Sequence, residues 1–256
     1  MINELEKLIE IIRVLRAPDG CDWDNVQTSK SLIPYLLEET YEVIEAIENE
    51  DSELLKEELG DLLLHVIFQA EIADENNFFK FSDSIKHISD KLVNRHPHIF
   101  NNSGEKSYEK ENWELSKQNE KKRKYILEGV PLNLPALTRA RRIQEKAASI
   151  GFDWNNIDQI FDKVHEEIDE LKEAIKLDDH DNTFEEIGDT LFSIVNVARF
   201  LEYDSESALR FTIRKFENRF NQIEDQLKLD GKTLKESSIE ELDIIWNQIK
   251  AKEKNV

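Results

Sequence analysis

The chain has 256 residues, of which 39% are apolar and 35% charged, so it can bury a core and cover it with polar surface. With only 7 Gly and 5 Pro, a turn-rich all-β architecture is disfavoured and long amphipathic helices are expected. The formal net charge of -21 argues against binding to nucleic acid or to an anionic membrane. The single cysteine, Cys21, cannot form an internal disulfide, and the first residues show no signal-peptide pattern, so we expect a cytoplasmic protein.

Apolar residues recur at helical spacing along both halves of the sequence. In chain order, the segments that carry this pattern are residues 5–15, 36–47, 54–70, 85–92, 168–175, 187–198 and 209–216. No alternating strand pattern of useful length competes with them, and short connections favour antiparallel packing in a bundle. The sequence therefore predicts an all-α fold.

Five motifs occur twice and in the same order: GxDW, EExxE, EExGD, KxxNR and WxxxK. The segment EETYEVIEAIENEDSELLKEELGD, residues 38–61, returns as EEIDELKEAIKLDDHDNTFEEIGD at residues 166–189. In the WxxxK motif, the tryptophan and lysine are Trp113 and Lys117 in the first copy and Trp246 and Lys250 in the second. Self-similarity of this kind predicts a duplicated structural unit.

The segment GVPLNLPALTR, residues 129–139, lies between the two copies and contains two prolines. Because proline interrupts regular helix, we expect the joint between the copies here. The sequence predicts two tandemly duplicated helical-bundle domains of about equal length, residues 1–128 and residues 129–256.

The repeated acidic motifs bring carboxylates onto one helix face. Residues three apart lie on the same side of a helix, so Glu39 points with Glu42 and Glu58 with Asp61. If the two helices pack antiparallel, the four carboxylates meet, and each close pair repels by about 4 kcal/mol at 4 Å and an effective dielectric near 20. A divalent cation removes this repulsion, and oxygen ligands suit Mg²⁺ or Mn²⁺. The predicted metal ligands form two sets: Glu39, Glu42, Glu58 and Asp61, then Glu167, Glu170, Glu186 and Asp189.

The acidic motifs have two alternative interpretations, and the sequence argues against each. A single EExxE motif usually covers a solvated helix face, but the second copy with identical internal spacing favours a site. Di-iron bundles also gather carboxylates between helices, but they need Glu-x-x-His pairs, and this sequence contains none.

The combination of motifs resembles the MazG family of nucleoside triphosphate pyrophosphohydrolases, over essentially the whole chain and in its tandem two-domain form. The resemblance rests on EExxE with ExxD, on GFDW and KFENRF, and on GVPLNLPALTRARRIQEKAASIGFDW, CDWDNVQT, YLLEETYEVIEAI and RHPHIF. It implies the all-α NTP pyrophosphatase fold, usually a homodimer. It also implies Mg²⁺-dependent hydrolysis of NTPs or dNTPs to the monophosphate and pyrophosphate.

The implied reaction is attack of water on the α-phosphorus with pyrophosphate as the leaving group. Metal ions held by the carboxylates would neutralise the triphosphate and lower the pKa of a bound water. By the resemblance, Glu166 and Glu185 lie at the same site, as partners of the metal ligands or as the base that takes the proton from water.

Fixed positive charge for the phosphates is expected from Lys215 and Arg219, which lie four residues apart on a predicted helix. An isolated pair of this kind is usually just exposed, but it recurs as Lys91 and Arg95. Lys163 is a further candidate for a phosphate contact. Trp246 is a candidate to stack on a base, with a place in a core or an interface as the alternative.

The sequence leaves two questions of function open. Only one half could be catalytic, with the other half regulatory, and the second half is favoured because its GFDW, KFENRF and Trp246 context matches best. The chain could also be a non-enzymatic helical scaffold that senses a nucleotide. Base and sugar preference are not determined by these motifs.

Overall fold

The structure, a computed structural model, describes residues 2–100 and 124–253, so Trp113 and Lys117 lie outside the described residues. Within those two ranges the chain forms helices joined by loops and contains no strand, and the predicted all-α fold is confirmed. The chain divides into two compact units, Met1–Ser107 and Tyr108–Val256. The predicted domain boundary near residue 128 stays a prediction.

The first unit is built around a helical hairpin. Its helices are α1 (Ile2–Arg16), α2 (Ile33–Glu48), α3 (Ser52–Glu75), α4 (Phe81–Arg95) and the short α5 (Pro97–Phe100). Only a short turn separates α2 from α3, so the two helices pack along each other in opposite directions. Helices α1 and α4 both contact α3. The core lies between α1 and α3, where Ile12, Ile67 and Phe68 are buried.

The second unit repeats this hairpin and adds a second pair of helices that pack on each other. Its helices are α6 (Ala136–Ala148), α7 (Ile157–Lys176), α8 (His180–Phe200), α9 (Ser205–Leu229) and α10 (Ile239–Glu253), with a 3₁₀ turn at Leu234–Glu236. Helices α7 and α8 form the hairpin, and α6 packs on α8. Helix α10 packs on α9 through an apolar cluster that includes Ile223, Leu227 and Ile249.

The turn inside each hairpin has the same construction. Glu50 and Asp178 occupy equivalent positions and both have a φ of 55°, the left-handed conformation that ends the preceding helix. The next residue caps the following helix: Asp51 accepts hydrogen bonds from the backbone N–H groups of Glu53 and Leu54, and Asp179 accepts one from Asn182. The turns thus start α3 and α8 in the same register relative to the helices before them.

None of the described helices is both long enough and apolar enough to cross a membrane.

Candidate functional site

The second unit gathers acidic side chains from both helices of its hairpin. Glu167 and Glu170 lie one turn apart on α7, and Glu186 and Asp189 lie one turn apart on α8. One carboxylate oxygen from each of Glu167, Glu170 and Glu186 lies within 4.8 Å of the other two. We call Glu167, Glu170, Glu186 and Asp189 the second cluster.

The pKa values show that these charges repel one another. Burial raises the pKa of Glu170, and the neighbouring Glu167 raises it further. Burial also raises the pKa of Glu186, followed by the charges of Glu170, Glu167 and Asp189. An all-oxygen donor set with raised pKa values fits a hard divalent cation such as Mg²⁺ or Mn²⁺, whose charge would offset the repulsion.

Lys163 lies beside the second cluster, one turn before Glu167 on α7. Its Nζ is 2.8 Å from Oε1 of Glu166 and 2.8 Å from Oε1 of Glu167. These hydrogen bonds raise the pKa of Lys163, so it stays charged. A single ammonium cannot offset four carboxylates, and the cluster keeps a net negative charge.

The first unit forms the equivalent cluster between α2 and α3, and we call Glu39, Glu42, Glu58 and Asp61 the first cluster. One oxygen from each of Glu39, Glu58 and Asp61 lies within 4.8 Å of the others. Burial, followed by the charges of Asp61 and Glu42, raises the pKa of Glu39 to about 7. The pKa of the buried Glu58 is also raised, by burial and then by the charge of Glu42.

The first cluster has no lysine in the position of Lys163. The equivalent residue is Tyr35, whose ring makes an edge contact with Trp23 at 5.7 Å between ring centroids. The two clusters therefore share their carboxylates and differ in the charge next to them.

A cavity of about 520 Å³ lies directly beside the second cluster, and Glu167 and Asp189 form part of its wall. Its volume is within the range of small-molecule sites, about 300–1,000 Å³. Most of the wall is apolar or aromatic, and it includes Ile126, Ile143, Ile160, Phe152, Trp154 and Phe192. Trp154, which belongs to the repeated GxDW motif, lines this cavity.

Polar groups of the cavity wall have fixed orientations. The Nε2 of Gln144 donates to the carbonyl oxygen of Phe192 at 2.9 Å. Because a carbonyl can only accept, the amide orientation of Gln144 is determined. Its Oε1 is buried and has no hydrogen-bond partner among the described residues. Asn196 likewise accepts from Nε of Arg199 at 2.8 Å, which leaves its Nδ2 as the remaining donor.

Sequence reasoning missed this cavity. Its wall comes from the segment before α6, from α6 itself, from the GFDW loop and from α7 and α8, and no single motif contains those positions. The signal in the sequence that could have found it is the set of positions at which the two copies differ in side-chain size.

Two of the predicted phosphate-binding cations, Lys215 and Arg219, lie on α9, and Arg219 contacts α10. The guanidinium of Arg219 forms an ion pair with Glu253, with Nη2 2.6 Å and Nε 3.0 Å from Oε2. It also lies 5.4 Å from the ring centroid of Trp246. The Nζ of Lys215 lies 5.5 Å from the ring centroid of Phe211. Arg219 is thus bound to a carboxylate in this structure.

The remaining candidates have the following positions. Trp246 packs against Phe216 at 5.3 Å between ring centroids, in the apolar cluster between α9 and α10. Lys91 and Arg95 are half-buried on α4. Glu166 and Glu185 are exposed beside the second cluster, and Glu185 contributes to the raised pKa of Glu186.

Comparison with known proteins gives a consistent assignment. The family model described as the MazG nucleotide pyrophosphohydrolase domain matches residues 27–100 and 156–223, which contain the two clusters. A nucleoside triphosphate pyrophosphohydrolase/pyrophosphatase MazG of Thermotoga maritima is 48% identical over 248 residues, covering 96% of this chain and 95% of that protein. A nucleoside triphosphate pyrophosphohydrolase of Escherichia coli K12 is 42% identical, covering 98% of this chain and 99% of that protein. One of Mycobacterium tuberculosis is 36% identical over 57% of this chain and 46% of its own length.

Proposed function

Because the chain belongs to the MazG family of nucleotide pyrophosphohydrolases, we propose that it hydrolyses nucleoside triphosphates to the nucleoside monophosphate and pyrophosphate. One observation carries the proposal: a carboxylate cluster and an apolar cavity share Glu167 and Asp189 in the second unit. A triphosphate with a divalent cation fits the cluster, and the nucleoside fits the cavity. The second unit is therefore the proposed hydrolytic half.

In the proposed mechanism Glu167, Glu170, Glu186 and Asp189 would hold Mg²⁺, with Mn²⁺ as an alternative. When bound, the cation neutralises phosphate oxygens and makes a water more acidic. The water oxygen forms a bond to the α-phosphorus, and the bond from the α-phosphorus to the bridging oxygen breaks. Pyrophosphate leaves with that oxygen.

The proton released by the attacking water needs a base beside the second cluster. Glu166 has one oxygen engaged by Lys163 at 2.8 Å. No described residue hydrogen-bonds to the side chain of Glu185, which favours Glu185 as the proton acceptor. Lys163 is placed to contact the triphosphate from its position next to Glu167, and Arg219 and Lys215 are the candidates on α9.

The cavity wall supports binding of the nucleoside. Trp154 and Phe152 offer aromatic faces for stacking, and the apolar wall suits the flat face of a base. The unpaired Oε1 of Gln144 supplies an acceptor for a donor group of the nucleoside.

We further propose that the protein is a cytoplasmic homodimer. Helix α8 carries an exposed apolar stripe whose members are Phe184, Ile187, Leu191 and Ile194. Their spacing of three, four and three residues is the pattern that packs helices against each other. Helix α3 exposes Leu59, Leu63 and Val66 in a similar pattern, and a second copy of the chain would cover such stripes.

The test is pyrophosphate release with Mg²⁺ across the eight common NTPs and dNTPs. Glu186→Gln should abolish release and leave the helical circular dichroism unchanged, because it removes a charge without a core contact. The matched control is Glu173→Gln, an exposed glutamate on α7, which should keep full activity. Unchanged turnover in Glu186→Gln would overturn the mechanism, and nucleotide binding without product would indicate a nucleotide-sensing scaffold.

A further inference from the structure

The two units differ at the place where the second unit has its cavity. Aligning the GxDW motifs places Arg16 of the first unit opposite Ala147, which lines the cavity. Aligning the ExxD motifs places Phe68 opposite Asn196, another lining residue. At both positions the first unit has the larger side chain. The same alignment pairs His65 with the lining residue Ser193.

These larger side chains fill the corresponding region of the first unit. Phe68 is 4% exposed and belongs to a core cluster with Ile12 and Leu32. The guanidinium carbon of Arg16 lies 4.9 Å from the centroid of the Phe68 ring, and the Arg16 side chain is only 5% exposed. The space that is open between α6 and α8 is therefore occupied by side chains between α1 and α3.

Arg16 is held in this position by several hydrogen bonds. Its Nη2 and Nε donate to Glu75 at 2.6 and 2.7 Å, and its Nη1 donates to the carbonyl oxygen of Asp24 at 2.8 Å. A ligand that displaced Arg16 would have to break these hydrogen bonds and its packing against Phe68, which opposes binding. The second unit cannot form the equivalent hydrogen bonds, because Ala147 has no side-chain donor and Tyr203 occupies the position of Glu75.

We propose that Arg16 and Phe68 close the first unit to nucleosides, so that the first cluster holds a divalent cation without a nucleotide. The inference rests on the proposed function, since it takes the cavity of the second unit as the place of the nucleoside. It makes the two units unequal: both bind metal through the same carboxylates, and only the second binds substrate.

The experiment measures how many nucleotides the full chain binds, with α,β-methylene-ATP as the probe in equilibrium dialysis with Mn²⁺. The native chain should bind one analogue, and Glu167→Gln with Glu170→Gln should bind none. Adding Arg16→Ala and Phe68→Asn, which install the residues of the second unit, should restore one site. Phe81→Asn, which alters the same core at a position with no counterpart in the wall of the second unit's cavity, is the matched control and should restore none.

Two analogues bound per native chain would overturn the inference, and this stoichiometry decides it even if the opened variant fails to fold. An opened variant that keeps its helix content and its Mn²⁺ binding but binds no analogue would also overturn it. A native chain that binds no analogue and releases no pyrophosphate would instead refute the proposed function, and with it the premise of the inference.

Discussion

Removing one buried carboxylate from the first cluster should stabilise the metal-free protein and abolish its stabilisation by Mg²⁺. Glu58 is 9% exposed and forms no ion pair with any described residue. One of its oxygens lies within 4.8 Å of oxygens of both Glu39 and Asp61. The change Glu58→Gln keeps the shape of the side chain and removes its charge.

The size of the effect follows from these separations. Two unit charges at this distance repel by about 3.5 kcal/mol when the effective dielectric is about 20. Glu58→Gln removes two of the three close pairs among Glu39, Glu58 and Asp61. Partial exposure screens the charges, so we expect the metal-free first unit to gain about 2 kcal/mol at a pH above the pKa of Glu39. Mg²⁺ at about 100 times its dissociation constant should raise the free energy of unfolding of the native first unit by about 2.7 kcal/mol. The variant should lose this stabilisation.

The measurement is native-state hydrogen exchange on peptides from α2 and α3, because a whole-chain melt would mix the two units. It is done in EDTA and in saturating MgCl₂, with Glu57→Gln as the control, since Glu57 is an exposed neighbour on α3. Glu58→Gln should slow exchange in EDTA and abolish the slowing caused by Mg²⁺. Faster exchange of the variant in EDTA would show that the carboxylates do not repel one another, and the reasoning would be wrong.

Three further predictions concern Glu39, Lys163 and the ion pair of Arg219 with Glu253. The pKa of Glu39 is raised from 4.5 to about 7, so its contribution to stability is complete below about pH 4.5 and is lost as the pH rises through 7. Protection factors of α2 and α3 in EDTA, from which the intrinsic pH dependence of amide exchange is removed, should fall over this window, and a flat profile would contradict the prediction. Lys163→Met should tighten Mn²⁺ binding to the second cluster several-fold, by calorimetry, and slow turnover, whereas the exposed control Lys172→Met should change neither. Glu253→Gln should lower KM for ATP by releasing Arg219, and Arg219→Ala should raise it; a rise in both variants would assign the pair a structural role only.

Local features of the molecule were predictable from the sequence because they depend on short-range geometry. The spacing of Glu39 and Glu42, or of Glu167 and Glu170, places two carboxylates on one helix face wherever that helix packs. The apolar periodicity predicted the helices on both sides of each hairpin, and the short turn between them predicted that the acidic faces meet. The duplication was visible as repeated motifs without any knowledge of the fold.

Contacts between residues distant in the chain were not predictable in this way. The sequence identified Arg219 as a cation near phosphate, but its ion pair with Glu253 depends on how α10 lies against α9. By contrast, Lys163 was a candidate because it lies one turn before Glu167, and its bonds to Glu166 and Glu167 span only three and four residues of one helix.

The sequence by itself determined an all-α chain, written as two copies, each with four carboxylates on neighbouring helix faces. Only the tertiary structure decided that the second copy has a cavity next to those carboxylates and that Phe68 and Arg16 fill the same region in the first copy. The reason is that helical periodicity fixes which side of a helix a residue occupies, whereas an empty volume depends on the sizes of side chains from several helices that meet only after packing.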